Sequence, residues 1–365
     1  MMSELSFAAY TVCCLVAFAG QLVFALREWR TLGRHDAMFV DQVYVRVERY
    51  FGLAFRDKLE RWLQRPAHEV APNVFVVAKE GEEIRVHRKL VVPAGGRVEA
   101  ILVADTLETG YGSALLREAY VRHDCRVGEG NVLQALACDG VARIGRGTRV
   151  IRWIDAAGEL VLEPECRVLG RATSATRVVL HAGARVASAH APEIVTVDDT
   201  VEGPVSQQLT QPTISRTTLG DDPAAWNALG ASGHCRQMCP GSIAYDGNLI
   251  LPTVTIATSL VVRGDLMIGP HSVIEGDVKA TGSIHIGAHS ACRGSLVAAE
   301  DVQLAAGVSF AGVIFAEGSI GMAAGVTGVT REPGVAVYAA ETVTLQAGVT
   351  IHGKVSSGDH VVVGA

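Results

Sequence analysis

Three residues in GHCRQMCPG (233–241) carry side chains that ligate metals: His234, Cys235 and Cys239. A structural zinc takes four nitrogen or sulfur donors, usually from closely spaced pairs. Here three residues rather than two separate the cysteines, and no second pair follows before 245. The expectation is a pair of free or disulfide-linked cysteines in a loop. His234, Cys235 and Cys239 remain the residues to examine for a metal.

A second group is His271 and His289, in IGPHSV (268–273) and IGAHSA (286–291). With LAAGVS (304–309) and MAAGVT (322–327) they fit the [LIV]-[GA]-x-x-[STAV]-x template of hexapeptide-repeat acyltransferases, which fold as left-handed β-helices. Such enzymes place a histidine base in a subunit cleft. The spacing instead puts the two histidines one turn apart in a single column, which predicts two stacked surface imidazoles. No GxxxxGK[ST] phosphate loop is present, and the glycines of GEGNVLQ and GRGTR recur with a repeat rather than forming a dinucleotide cradle. The reading is therefore non-enzymatic, with no catalytic or cofactor-binding residues and no nucleotide.

The element that must position these residues is the repeat itself. GDLMIG (264–269), GSIHIG (282–287), EDVQLA (300–305), GSIGMA (318–323), ETVTLQ (341–346) and DHVVVG (359–364) align one above another. Their third positions are Leu266, Ile284, Val302, Ile320, Val343 and Val361, with steps of 18 residues broken once by a step of 23. The longer step holds an insertion at REPGV (331–335). Alternation within each segment is apolar, variable, apolar, the signature of a strand with one buried face. A strand returning every 18 residues in constant phase must lie one layer above its predecessor, which is a β-solenoid. Eighteen residues divide into three sides.

An earlier block repeats the pattern through Val98, Leu115, Val132, Val150, Val168 and Val186. Its companion column is Val92, Thr109, Arg126, Ile144, Leu162 and Leu180, in which Arg126 breaks the apolar character and Val127 suggests a bulge. The reading gives about twelve coils, spanning roughly 55–60 Å if coaxial. Cys292 shares a column with Ile274 and Phe310 and reads as core, whereas His285 points outward.

Only 5% of residues are aromatic, so the core is built from Val, Ile, Leu and Ala, and 39 glycines provide for many bends. The net charge of −6 leaves no electrostatic footprint for nucleic acid. Residues 5–26, LSFAAYTVCCLVAFAGQLVFAL, carry no charge and are long enough to span a bilayer as a helix. Arg27, Arg30 and Arg34 follow, which predicts a single pass with the N-terminus outside and the bulk of the chain cytoplasmic. Residues 37–65 read as an amphipathic juxtamembrane helix with Val43, Val47, Phe51, Phe55, Leu59 and Trp62 on one face, stopped by Pro66. Its apolar face either lies on anionic headgroups or caps the next domain. The organisation is then a first β-helix block at 75–199, a linker at 200–245 without periodicity, and a second block at 246–365. DDPAAWNAL (221–229) within the linker reads as a turn or two of helix. The final coil, HVVVGA, has no capping helix after it, so Val361, Val362 and Val363 form the expected self-association edge.

GDVKA (276–280), GSLVA (294–298), GVIFA (312–316) and GKVSS (353–357) alternate with GSIHIG-type strands in each winding. This pairing resembles the bactofilins, bacterial polymer-forming cytoskeletal proteins, over 246–365 and more loosely over 75–195. The resemblance implies a right-handed β-helix that polymerises without nucleotide, attaches to the inner membrane and recruits cell-envelope or shape-determining proteins. A full spanning segment and two repeat blocks depart from the family's usual pattern.

Overall fold

The computed structural model describes residues 47–64, 68–71, 74–77, 82–197, 216–228, 234–329 and 335–364. The uncharged stretch 5–26 lies outside them, as do 37–46, Arg65 and Pro66. No helix among the described residues is long and apolar enough to cross a membrane. Residues 48–365 form one compact unit.

That unit is a β-solenoid. In the second block Leu266, Ile284, Val302, Ile320, Val343 and Val361 lie in one row, each paired in parallel register with the next. All six are buried and their alternate neighbours face outward. Two further parallel ladders run through the same block, one through Leu260, Val278, Leu296, Ile314 and Val337, the other through Ile274, Cys292 and Phe310. The REPGV insertion (331–335) ends on the first residue of Val335–Ala339, and this strand and Thr327–Gly328 before it both keep their register. Cys292 is buried as expected, and desolvation pushes its thiol up to about 12.

The first block stacks likewise, but two positions differ from the sequence reading. Leu115 pairs with Leu133, not Val132, and Leu133 with Val150. In the companion column Val127, not Arg126, pairs with Ile144. Arg126 points to solvent and Val127 is buried. The 17-residue steps therefore run from 98 to 115 and from 133 to 150, so the coil between them has the full 18. Seven inward positions, from Val92 to Thr196, define the first block and seven, from Leu251 to Val363, the second, about fourteen coils in all.

The segment read as a linker is partly structured. Thr217–Leu219 already pairs with Val254–Ile256, and Ser242–Asp246 with Ser259–Arg263. The helix Pro223–Asn227 is capped by Asp222, whose carboxylate accepts from Ala224 N, and it buries Trp226 against the core.

Corners must satisfy backbone groups that the ladders leave out. Asn248 Oδ1 accepts from Asp265 N, Asp265 Oδ1 from Ser283 N, Ser283 Oγ from Asp301 N, and Asp301 Oδ1 from Ser319 N, at 2.7–3.4 Å. Short acceptor side chains thus bind one coil to the next. Another corner needs left-handed backbone at His271, His289, Gly307, Gly325 and Gly348 in successive coils. Glycine is the ordinary residue there; the two histidines are the exceptions.

Core volume is shared between neighbouring coils. Phe310 is buried above Gly328, where an added Cβ would come within 2.6 Å of Phe310 Cζ. Phe310→Ala is expected to lower stability by about 3–5 kcal/mol in denaturant titration. Adding Gly328→Leu to that variant should recover part of the loss, because the space then exists for it.

Candidate functional site

Two shallow grooves lie on the described surface, one beside Lys89, Glu108, Asp124 and Arg143 and the other beside Gln303, Thr344 and Gln346; the surfaces where elements meet carry the denser contacts. The densest chemistry lies under helix α1 (Tyr50–Gln64), the described part of the predicted amphipathic segment. Phe55, Leu59 and Trp62 recur at three- and four-residue spacing and face one flank of the first block. They pack on Ile84, Ile101, Val103, Tyr120, Ala135, Ala137 and Trp153, with Phe55 edge-on to Trp153 at 5.6 Å. Of the two roles open for the apolar face, covering the next domain is the one observed for Tyr50–Gln64.

Polar groups fix where α1 sits. Asp155 is 1% exposed and receives Arg49 at 2.7 Å and Arg56 at 2.5 Å, while Thr173 Oγ1 donates to its Oδ1. Arg56 also reaches Asp139 at 2.6 Å and donates to Cys138 O at 2.8 Å. Burial opposes the Arg56 charge, but Asp155 and Asp139 outweigh it and hold the guanidinium above its ordinary range. Tyr120 donates to Asp139 at 2.5 Å; burial first, and this bond second, push its phenol up to about 12. Gly52 lies directly against Asp155, where any side chain would strike the carboxylate. The sequence reading missed Asp155 and Gly52. Asp155 is the single acid in WIDA, otherwise a fully buried strand, and that was its available signal.

The second surface is the junction between the blocks. Arg185–Val197, ending the first block, pairs antiparallel with Thr350–Val363, ending the second. Val361 faces Val186, Val362 faces Arg185, and Val363 exchanges backbone hydrogen bonds with Gly183 and Ala184 at 2.9 and 3.1 Å. The expected open edge at Val361, Val362 and Val363 is therefore closed within the chain, because the first block offers a matching bare edge. Val186, Ala189, Ile194, Ile351, Val355 and Val361 are all buried, so the two cores are continuous. Thr196 Oγ1 accepts from Val349 N and donates to Gln346 O, sealing one corner of the seam. Glu48, just before α1, bonds Lys354 of the second block at 2.9 Å, so the helix end reaches across the seam.

His234–Cys239 is one of the outermost described strands of the second block, antiparallel to Ser242–Asp246. His234, Cys235 and Cys239 thus lie on an edge strand, not in a loop. Both cysteines are free, and among the described residues no group of three His, Cys, Asp or Glu side chains could hold a metal. His271 and His289 stack at 5.3 Å with an 18° interplanar angle on their corner, one above the other as the spacing predicted. Two grooves, of about 440 and 320 Å³, contain neither histidine. Compared with known proteins, the chain matches no family model, no curated protein and no solved structure.

Two outcomes test this geometry. Asp155→Ala takes the buried counter-charge from Arg49 and leaves Arg56 with Asp139 and Cys138 O, and should cost about 3–5 kcal/mol of stability, with α1 becoming accessible to protease. His190 lies at the seam near Glu48, Arg49 and Lys354, and burial lowers its pKa below the ordinary 6.5. The unfolded chain then binds the extra proton first, so His190's contribution is complete above about pH 6.5 and erodes as pH falls below it. His190→Asn should flatten that part of the stability–pH profile between about pH 7 and pH 5.

Proposed function

We propose that this protein is a non-enzymatic, membrane-anchored scaffold of the bactofilin kind, a right-handed three-sided β-helix that self-associates through its ends and recruits cell-envelope proteins. The observation that carries this reading is the junction: one solenoid end of this chain already accepts another through an antiparallel ladder and a continuous core. That contact consumes both C-terminal ends, so association between molecules falls to the N-terminal ends. The strand His234–Cys239 supports this, since its backbone pairs on one side only among the described residues, and unpaired edges template further strands. Residues 5–26 provide the anchor in this reading, with the body on the cytoplasmic side of a bacterial inner membrane.

The acyltransferase reading draws no support from the stacked histidines. Their rings face each other rather than a cleft, and the His289 ring lies over Gly307, where an added Cβ would meet Nδ1 at 2.5 Å.

Full-length protein in detergent should form filaments or discrete oligomers in electron micrographs at micromolar concentration. Gln237→Pro, on the edge strand, should reduce assembly while leaving the melting transition in place. A protein that stays monomeric across the accessible concentration range would remove the self-association claim. Calorimetric binding of acetyl-CoA that His289→Ala abolishes would favour the enzyme instead.

A further inference from the structure

One outward row of the first block carries three arginines that meet no acid among the described residues. Arg149, Arg167 and Arg185 occupy consecutive coils in direct register, so their side chains project from strands about 4.8 Å apart. All three are exposed, and none forms an ion pair among the described residues. Other arginines of these coils do find acids: Arg146 bonds Glu165 at 2.6 Å, Arg152 bonds Glu118 at 2.8 Å, and Arg177 bonds Glu193 at 3.0 Å. Like charges directly opposite in a ladder repel and destabilise the pair. Three in a column therefore oppose the stacking that holds the coils together, unless an anion lies over them.

The surroundings narrow the anion. Val132 and Val362, at the two ends of this arginine run, are half-buried aliphatics in the same row. Leu169, two residues past Arg167, is 57% exposed. The strip is thus a sheet face with guanidiniums in line and an aliphatic side chain beside them. Guanidinium groups bind phosphate oxygens in pairs, and an aliphatic residue beside them suits insertion below a headgroup plane. Single-stranded nucleic acid would call for aromatic platforms, and the row has none.

We propose that the row Arg149–Arg167–Arg185, with Leu169, is a docking strip for an anionic phospholipid surface, so that the first block lies along a bilayer. The proposal deepens the membrane-scaffold reading by naming the lipid, and it draws on that reading only in that an anchor at 5–26 would keep the body near a bilayer. The strip's preference for anionic lipid is a separate property. Each arginine contributes about a fivefold gain in partitioning, falling with salt.

The test is phenylglyoxal modification of arginines in full-length protein reconstituted with phosphatidylcholine alone or mixed with phosphatidylglycerol, read peptide by peptide in a mass spectrometer. Arg149, Arg167 and Arg185 should be modified at least about fivefold more slowly in the anionic bilayer, with the protection lost in high salt. Arg236, exposed on the far edge strand, serves as the unaffected control. Equal rates in both bilayers would overturn the proposal. So would equal protection from duplex DNA added to the neutral sample. Flotation with neutral vesicles scores the anchor separately: if the protein does not float, free protein mixed with anionic vesicles must still show the protected arginines. Arg167→Gln, at the centre of the row, should melt slightly higher than the parent in solution while losing protection at Arg149 and Arg185. A lower melting point would mean that the row serves the fold rather than a partner.

Discussion

Each coil of a solenoid leaves its backbone amides and carbonyls pointing along the axis, where only another coil can satisfy them. This requirement governs the chain from end to end. Within a block it is met by parallel ladders, and at corners by Ser, Asp and Asn side chains that accept from the next coil. At the end of a block it can be met only by something with the same spacing. In this chain that partner is the other block, joined through the antiparallel ladder at the seam. An unsatisfied edge over an open aliphatic core would leave many polar groups unpaired, so the seam is a stronger determinant of the architecture than any single side chain.

The flank is held by a different balance. Helix α1 covers apolar side chains that would otherwise project into water, and burial of Phe55, Leu59 and Trp62 supplies most of the attraction. The ion cluster around Asp155 contributes less net energy than its short distances suggest, since desolvation offsets much of the Coulomb term. Its role is positional. Two guanidiniums and Gly52 fit one carboxylate in one register, so a shift of α1 by a turn would leave Asp155 buried without a counter-charge.

How much of this could be read in the residues depends on whether the cause was local. The second block was legible because the row from Leu266 to Val361 is aliphatic throughout and keeps an 18-residue period broken once, at the 331–335 insertion. The first block was legible in kind but not in register. Arg126 and Val132 were each taken one residue early, because the 17-residue step was assigned to the wrong coil and adjacent residues such as Val132 and Leu133 are equally apolar. The seam was not legible at all: Val186 and Val361 bear no periodic relation, and each block end looks open when read alone. The stacking of His271 and His289 followed from spacing, but their left-handed backbone did not, since histidine replaces the expected glycine at both corners. The helix at Pro223–Asn227 was visible in DDPAAW, while the strands on either side of it lacked any repeat to announce them.

The order of synthesis gives the seam a temporal side. The strand Arg185–Val197 leaves the ribosome roughly 150 residues before Thr350–Val363, its eventual cover. At usual elongation speeds that is a delay of about 8–30 s. During this interval the nascent first half carries a long, flat, sticky rim within reach of neighbouring nascent chains on the same messenger. Correct maturation therefore becomes a race between arrival of the second half and capture by a sibling, and slower translation or crowded polysomes would tilt the outcome toward exchanged halves.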